Sequence, residues 1–146
     1  MTTCRACHTG TMQPIERVER FNPPTGEVAV VTLAARCEAC GHESVLVSQM
    51  AENIARRRAR HQHYGPHLLG EDIFAFRRKY GLTRAAAARI IGKSPRTFSR
   101  YETEVSFPND ATRWALVRAM QHPEFLKDLA AAAGVEIPLW SARNPA

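Results

Sequence analysis

No apolar run in the 146 residues approaches the roughly 18 that a membrane-spanning helix needs, so no helical membrane span is expected. The opening Met1-Thr2-Thr3-Cys4-Arg5, followed by polar residues, lacks the apolar core of a secretory signal, and a cytoplasmic location follows. His-Glu-x-x-His is absent, as is any Cys-His-acid set, so no active site is expected and the chain reads as a non-enzyme. There is no internal repeat. Nor is there length for two large domains: two compact modules joined by a linker fit better, neither with a large core.

What is present is basic charge, unevenly placed. The formal net charge is +6 with a pI near 9.6, which favours a polyanionic partner over an acidic substrate. Residues 1–48 carry four Arg against five Glu, residues 49–70 four Arg against one Glu, and the remainder twelve Lys and Arg against eight Asp and Glu. The surplus therefore lies after residue 48.

Only four cysteines occur, in two pairs, Cys4-Arg-Ala-Cys7 and Cys37-Glu-Ala-Cys40. In a reducing compartment such pairs are read as metal ligands before disulfides, and their spacing suits one structural, tetrahedral Zn2+ held by Cys4, Cys7, Cys37 and Cys40. Two other readings compete: a three-Cys site completed by His8 or His42, and a thioredoxin-like redox pair. Gly10 and Gly41 follow the pairs where a knuckle needs a tight turn and close backbone approach. Between the pairs, residues 14–20 and 27–35 read as strands around the turn Phe21-Asn22-Pro23-Pro24-Thr25-Gly26, with Val45-Leu46-Val47 as a third strand.

The expected organisation is α+β. A zinc-bound, β-rich module spans residues 1–48, a basic linker 49–70, an all-α helix-turn-helix domain 71–133 and a C-terminal extension 134–146. Four linker arginines, Arg56, Arg57, Arg58 and Arg60, form either a solvated face or added phosphate contacts. His61, His63 and His67 have no metal spacing and are expected at the surface.

In the helical part, Ile73, Phe76 and Tyr80 recur at amphipathic spacing before Gly81, and Thr83 can cap a second helix over 84–91. Ser94 as N-cap with Pro95 at the first helical position opens a third helix in which Phe98 and Tyr101 face inward. Arg96 and Arg100 then lie one turn apart on the outer face with Thr97, as a helix entering the major groove requires, and arginine is the commonest reader of guanine. Thr83, Arg84, Thr97 and Ser99 are candidate phosphate contacts. The alternative is an ordinary solvated face on a helical hairpin. Further on, Asn109 or Asp110 caps a helix with the stripe Trp114, Val117, Met120, and His122-Pro123-Glu124 opens one carrying Phe125, Leu126 and Leu129. Helix-turn-helix proteins usually bind DNA as dimers, which places a homodimer contact in residues 112–130; Trp114 belongs either to it or to the core.

The order of these parts resembles the MqsA antitoxin family up to about Leu129. Gly81-Leu82-Thr83, Phe98-Ser99-Arg100-Tyr101-Glu102 and His122-Pro123-Glu124-Phe125-Leu126 carry the resemblance best. It implies a bacterial type II antitoxin whose zinc module neutralises a ribonuclease toxin and whose dimeric C-terminal domain represses its own operon at a palindrome in double-stranded DNA. It also implies that the four cysteines are the zinc ligands and that Arg100 is the base-reading arginine. Arg96 stands where a compared member has asparagine, which implies a guanine preference at that position of the operator. A regulator with the same DNA-binding module and no toxin is the alternative.

Overall fold

The computed structural model describes residues 2–143 and has an α+β architecture, a small antiparallel sheet followed by helices. Two compact units form, Met1–His63 and Tyr64–Ala146.

In the first unit, β1 (Met12–Phe21) and β2 (Val28–Cys37) form a hairpin in register from Met12 opposite Cys37 to Phe21 opposite Val28. The intervening loop turns at Gly26, whose φ of 120° suits glycine. This register returns the end of β2 to the start of β1 and so brings the second cysteine pair beside the first. A two-residue β3 (Glu43–Ser44) pairs with Ala35 and Arg36, and Glu43 is held by Arg36 at 3.0 Å and Arg17 at 3.3 Å. Those guanidinium groups, Arg36 first, hold the Glu43 carboxyl below its ordinary pKa.

Because β3 is so short, most of the outer edge of β2 has no strand beside it. The helix α1 (Val47–Ala59) supplies side chains instead. Asn53 behaves as a strand residue would: its Oδ1 accepts from the Leu33 N–H at 2.7 Å and its Nδ2 donates to the Leu33 carbonyl at 2.8 Å. One turn to either side, Gln49 donates to the Ala34 carbonyl at 2.8 Å and Arg56 to the Val31 carbonyl at 3.1 Å. Left unpaired and buried, each of these backbone groups would cost about 1–3 kcal/mol. The polar face of α1 therefore turns inward, and its apolar residues Val47, Met50 and Ile54 remain 77%, 48% and 57% exposed. Arg57 makes a forked ion pair with Glu19, holding that carboxyl below its ordinary range, and the Arg60 guanidinium lies 4.1 Å from the centre of the Phe21 ring. A single 3₁₀ turn, Arg60–His63, ends the unit.

The second unit contains α2 (Gly70–Lys79), α3 (Arg84–Ile90), α4 (Pro95–Glu102), α5 (Asp110–Gln121), α6 (Pro123–Ala133) and the short α7 (Trp140–Arg143). Ile73, Tyr80, Ala88, Phe98, Leu116 and Leu126 are essentially inaccessible at its centre. The row of alanines in α3 allows α4 to approach closely, with Ala87 and Ala88 buried between them.

Several expectations are corrected. Val45-Leu46-Val47 is not the third strand; β3 lies just before it and Val47 begins α1. The stretch read as a linker from 49 to 70 is instead divided between α1 and the 3₁₀ turn of the first unit and the segment entering α2 in the second. Trp114 is 60% exposed rather than core, because α5 buries Thr112, Leu116 and Ala119. His67 is half-buried, edge-on to Phe107 at 5.9 Å, with a buried Nδ1 that lacks a hydrogen-bond partner among the described residues.

Candidate metal centre and nucleic-acid interface

The four cysteine sulfurs lie within 4.8 Å of one another. Two contacts cross between the pairs, Cys4 to Cys40 and Cys7 to Cys37, each at 3.7 Å. A disulfide would need about 2.0 Å. Four thiolates around one ion at the usual Zn–S length of about 2.3 Å form a tetrahedron with edges of about 3.8 Å, which matches the crossing contacts. The group can hold a metal ion, and its all-thiolate donor set is consistent with zinc.

The two knuckles repeat one backbone pattern. The N–H of the residue after each pair returns to the first cysteine carbonyl, His8 to Cys4 at 2.9 Å and Gly41 to Cys37 at 3.0 Å. Both residues are left-handed, with φ of 64° and 77°. Amide groups point at the sulfurs: Ala6 at Cys4 (3.3 Å), Gly10 at Cys7 (3.4 Å), and Ala39 and Cys40 at Cys37 (3.4 Å each). Hydrogen bonds of this kind favour thiolate. Led by the Thr9 hydroxyl, they lower the Cys7 pKa to about 5, while a backbone hydrogen bond from Cys7 leads in lowering Cys4. Cys40 moves the other way, to about 11: the His42 amide lowers it, but desolvation and the neighbouring thiols outweigh that. Four sulfurs this close cannot all ionise without a cation among them, which is the electrostatic condition a metal relieves. His8 and His42 are both exposed.

Gly10 is required for a different reason from Gly41. A Cβ at Gly10 would overlap the Cys37 sulfur and stand 2.7 Å from the Ala39 Cβ, whereas one at Gly41 would meet nothing within 4 Å. Gly41→Ala therefore isolates the backbone term, and a loss of about 1–2 kcal/mol is expected in thermal unfolding. His8→Gly, at the equivalent position, should be neutral or mildly stabilising. Equal losses from both would mean that the knuckles are not equivalent.

In the second unit, Thr83 caps α3 by accepting the Ala86 N–H, and Ser94 caps α4 by accepting the Thr97 N–H, with Pro95 in the first turn. Gly92, at φ 72°, turns the chain between them. Phe98 and Tyr101 are buried, which leaves Arg96 and Arg100 exposed with no ion-pair partner among the described residues. Thr97 and Ser99 are half-buried, the Thr97 hydroxyl 2.9 Å from that of Ser94, and Thr83 is exposed.

Arg84 is not free: its Nε donates to Glu102 at 3.2 Å. Glu102, with a side chain only 3% exposed, also receives Arg77 at 2.6 and 3.1 Å, and Arg77 donates to the Leu82 carbonyl at 3.0 Å. This buried pair joins α2, the α2–α3 turn and the end of α4. The sequence reading missed it, although the acid that directly follows Phe98-Ser99-Arg100-Tyr101 was its available signal. Just beyond α4, Glu104 adopts a left-handed φ of 61° and accepts the Tyr64 hydroxyl and, at 2.8 Å, the Gly70 N–H.

No helix among the described residues is long and apolar enough to cross a membrane. No curated protein matches the sequence. The two cysteine knuckles and the capped helix pair lie within one match, to the model of a family described as the antitoxin component of bacterial toxin-antitoxin systems, which covers residues 2–130, and the chain belongs to that family, MqsA.

Proposed function

We propose that the chain is a non-enzymatic type II antitoxin of the bacterial cytoplasm, in which the first unit, closed around one Zn2+, binds and neutralises a ribonuclease toxin. The second unit, as a homodimer, binds a palindromic operator and represses the antitoxin's own operon. The observation that carries this reading is the pairing of a four-cysteine cluster in one unit with two exposed arginines, without an ion-pair partner among the described residues, on a capped helix pair in the other. Zn2+ in such a site supplies folding free energy and leaves no position for a catalytic water. Cys4, Cys7, Cys37 and Cys40 are its ligands.

On the DNA side, Arg96 and Arg100 read base edges from the major groove, while Thr83, Arg84, Thr97 and Ser99 contact phosphates. Support for a dimer comes from Trp114: it is 60% exposed, edge-to-face with Phe125 at 5.6 Å, and the Arg118 guanidinium lies within 5.3 Å of both ring centres. An exposed Trp and Arg beside a half-buried Phe are the usual composition of an interface centre, here inside residues 112–130.

The test is to purify the full chain with the product of the neighbouring reading frame, with and without metal removal. Zinc-dependent capture of a ribonuclease supports the antitoxin role; DNA binding without any captured partner would favour a stand-alone regulator. Arg100→Ala is expected to weaken operator binding by about 1–3 kcal/mol and to relax selection at one base pair. Selection on random duplexes should yield guanine opposite Arg96, and Arg96→Asn should shift that preference to adenine. Equal recovery of both bases by the natural chain would reject the assignment.

A further inference from the structure

The family match ends at residue 130, and beyond it residues 134–140 lead from the end of α6 to the turn between α2 and α3. Gly134, at φ 68°, ends α6, with its own N–H returned to Ala131 at 3.2 Å and that of Val135 to Ala130 at 2.9 Å. The chain then reaches the turn between α2 and α3. The Leu139 N–H donates to the Tyr80 carbonyl at 3.2 Å, satisfying the end of α2. The Leu139 side chain lies over Gly81, 2.8 Å from where a Cβ would stand, with the Pro138 Cβ at 3.6 Å. Trp140 stacks on Tyr80, ring centres 6.1 Å apart and planes at 21°, and the Lys127 ammonium sits 5.7 Å from the Trp140 ring.

Tyr80-Gly81-Leu82 is therefore gripped on two sides. Arg77 holds the Leu82 carbonyl from beneath, and residues 138–140 cover Tyr80 and Gly81 from outside. The next residue, Thr83, caps α3, and Arg84 begins it.

We infer that residues 138–140 are a positioning latch for DNA binding: by closing on Tyr80 and Gly81 they fix the direction in which Thr83 and the first turn of α3 meet the phosphate backbone. The inference rests on the DNA-binding reading above. Its physical basis is preorganisation, because a turn already immobilised in the free protein does not have to be ordered when DNA arrives. Gly81 suits the site twice over, through its left-handed φ of 68° and through the absence of a Cβ beneath Leu139.

The experiment uses the full chain, a mixed-sequence duplex and fluorescence anisotropy over a range of salt, at a temperature where circular dichroism shows each variant folded. Trp140→Ala should lose about tenfold in affinity, and its log-log salt slope should fall by about 1, as for one lost phosphate contact. Trp140→Phe, which keeps a ring for Tyr80, should recover most of both. A chain ending at Ile137 provides the second variant, since it keeps Val135 and Ile137 on the core, and it should behave as Trp140→Ala. Folded variants that bind within twofold of the natural chain, with its slope, would overturn the latch while leaving DNA binding intact, as would a Phe variant no better than Ala. Failure of the natural chain to bind the duplex would overturn the DNA-binding reading itself.

Discussion

Cys37→Ser is expected to abolish metal binding and unfold the first unit while the helical unit stays folded. Structural zinc in small domains supplies about 10–16 kcal/mol of apparent binding free energy. Whole domains are stable by about 5–15 kcal/mol, so removing one of four ligands leaves a three-stranded sheet with too little to hold it. The clusters involved are separate: Cys4, Met12, Ala35 and Cys37 form one, and the core around Phe98 and Leu116 the other. Metal content by atomic spectroscopy and amide dispersion in an NMR spectrum would check the result. Gly10→Ala should produce the same loss with all four ligands present, because its Cβ would occupy the place of the Cys37 sulfur. His42→Ala should retain the ion; if it does not, a site of three cysteines and one histidine replaces the present assignment. A Cys37→Ser protein that still carries one metal per chain would reject the four-thiolate centre.

Glu102→Ala is expected to cost the second unit about 3–5 kcal/mol, since it strands the Arg77 guanidinium in the interior without a counter-charge. Arg77 is only 11% exposed and holds both Glu102 oxygens, at 2.6 and 3.1 Å. Arg84→Ala removes the other ion pair to the same carboxylate, but Arg84 is 50% exposed, and solvent screening limits its cost to under about 1 kcal/mol. Replacing Arg77 and Glu102 together by Met and Leu should recover much of the loss. Urea unfolding of the three variants separates a buried pair from a surface one. A Glu102→Ala protein within 1 kcal/mol of the natural chain would show that the pair does not hold α2, α3 and α4 together.

The four-cysteine cluster and the helix pair were legible because their signals are local. Two Cys-x-x-Cys pairs state their chemistry by spacing, and Thr83 and Ser94-Pro95 mark the starts of α3 and α4 in their own residue types. Helix α1 was not legible as part of the sheet. A reading of apolar periodicity turns Val47, Met50 and Ile54 inward, whereas the open edge of β2 demands hydrogen bonds and draws Gln49, Asn53 and Arg56 there instead. Trp140 could be picked out from the sequence as a residue to dock the tail, but not its partner, because Tyr80 is sixty residues away and already accounted for as core. For Trp114 the sequence left core and surface both open, and its place on α5, which buries Thr112, Leu116 and Ala119 instead, decides for the surface.

A helix that stands in for a strand leaves a mark that can be looked for elsewhere. The three side chains that complete β2 come at fixed intervals, Gln49-x-x-x-Asn53-x-x-Arg56, shortly after the second cysteine knuckle. Amide and guanidinium groups at those intervals, where a run of β-branched residues would be sought, become a recognisable signature. Chains that carry it can be expected to close their sheet with a helix, and chains that lack it to need a longer third strand.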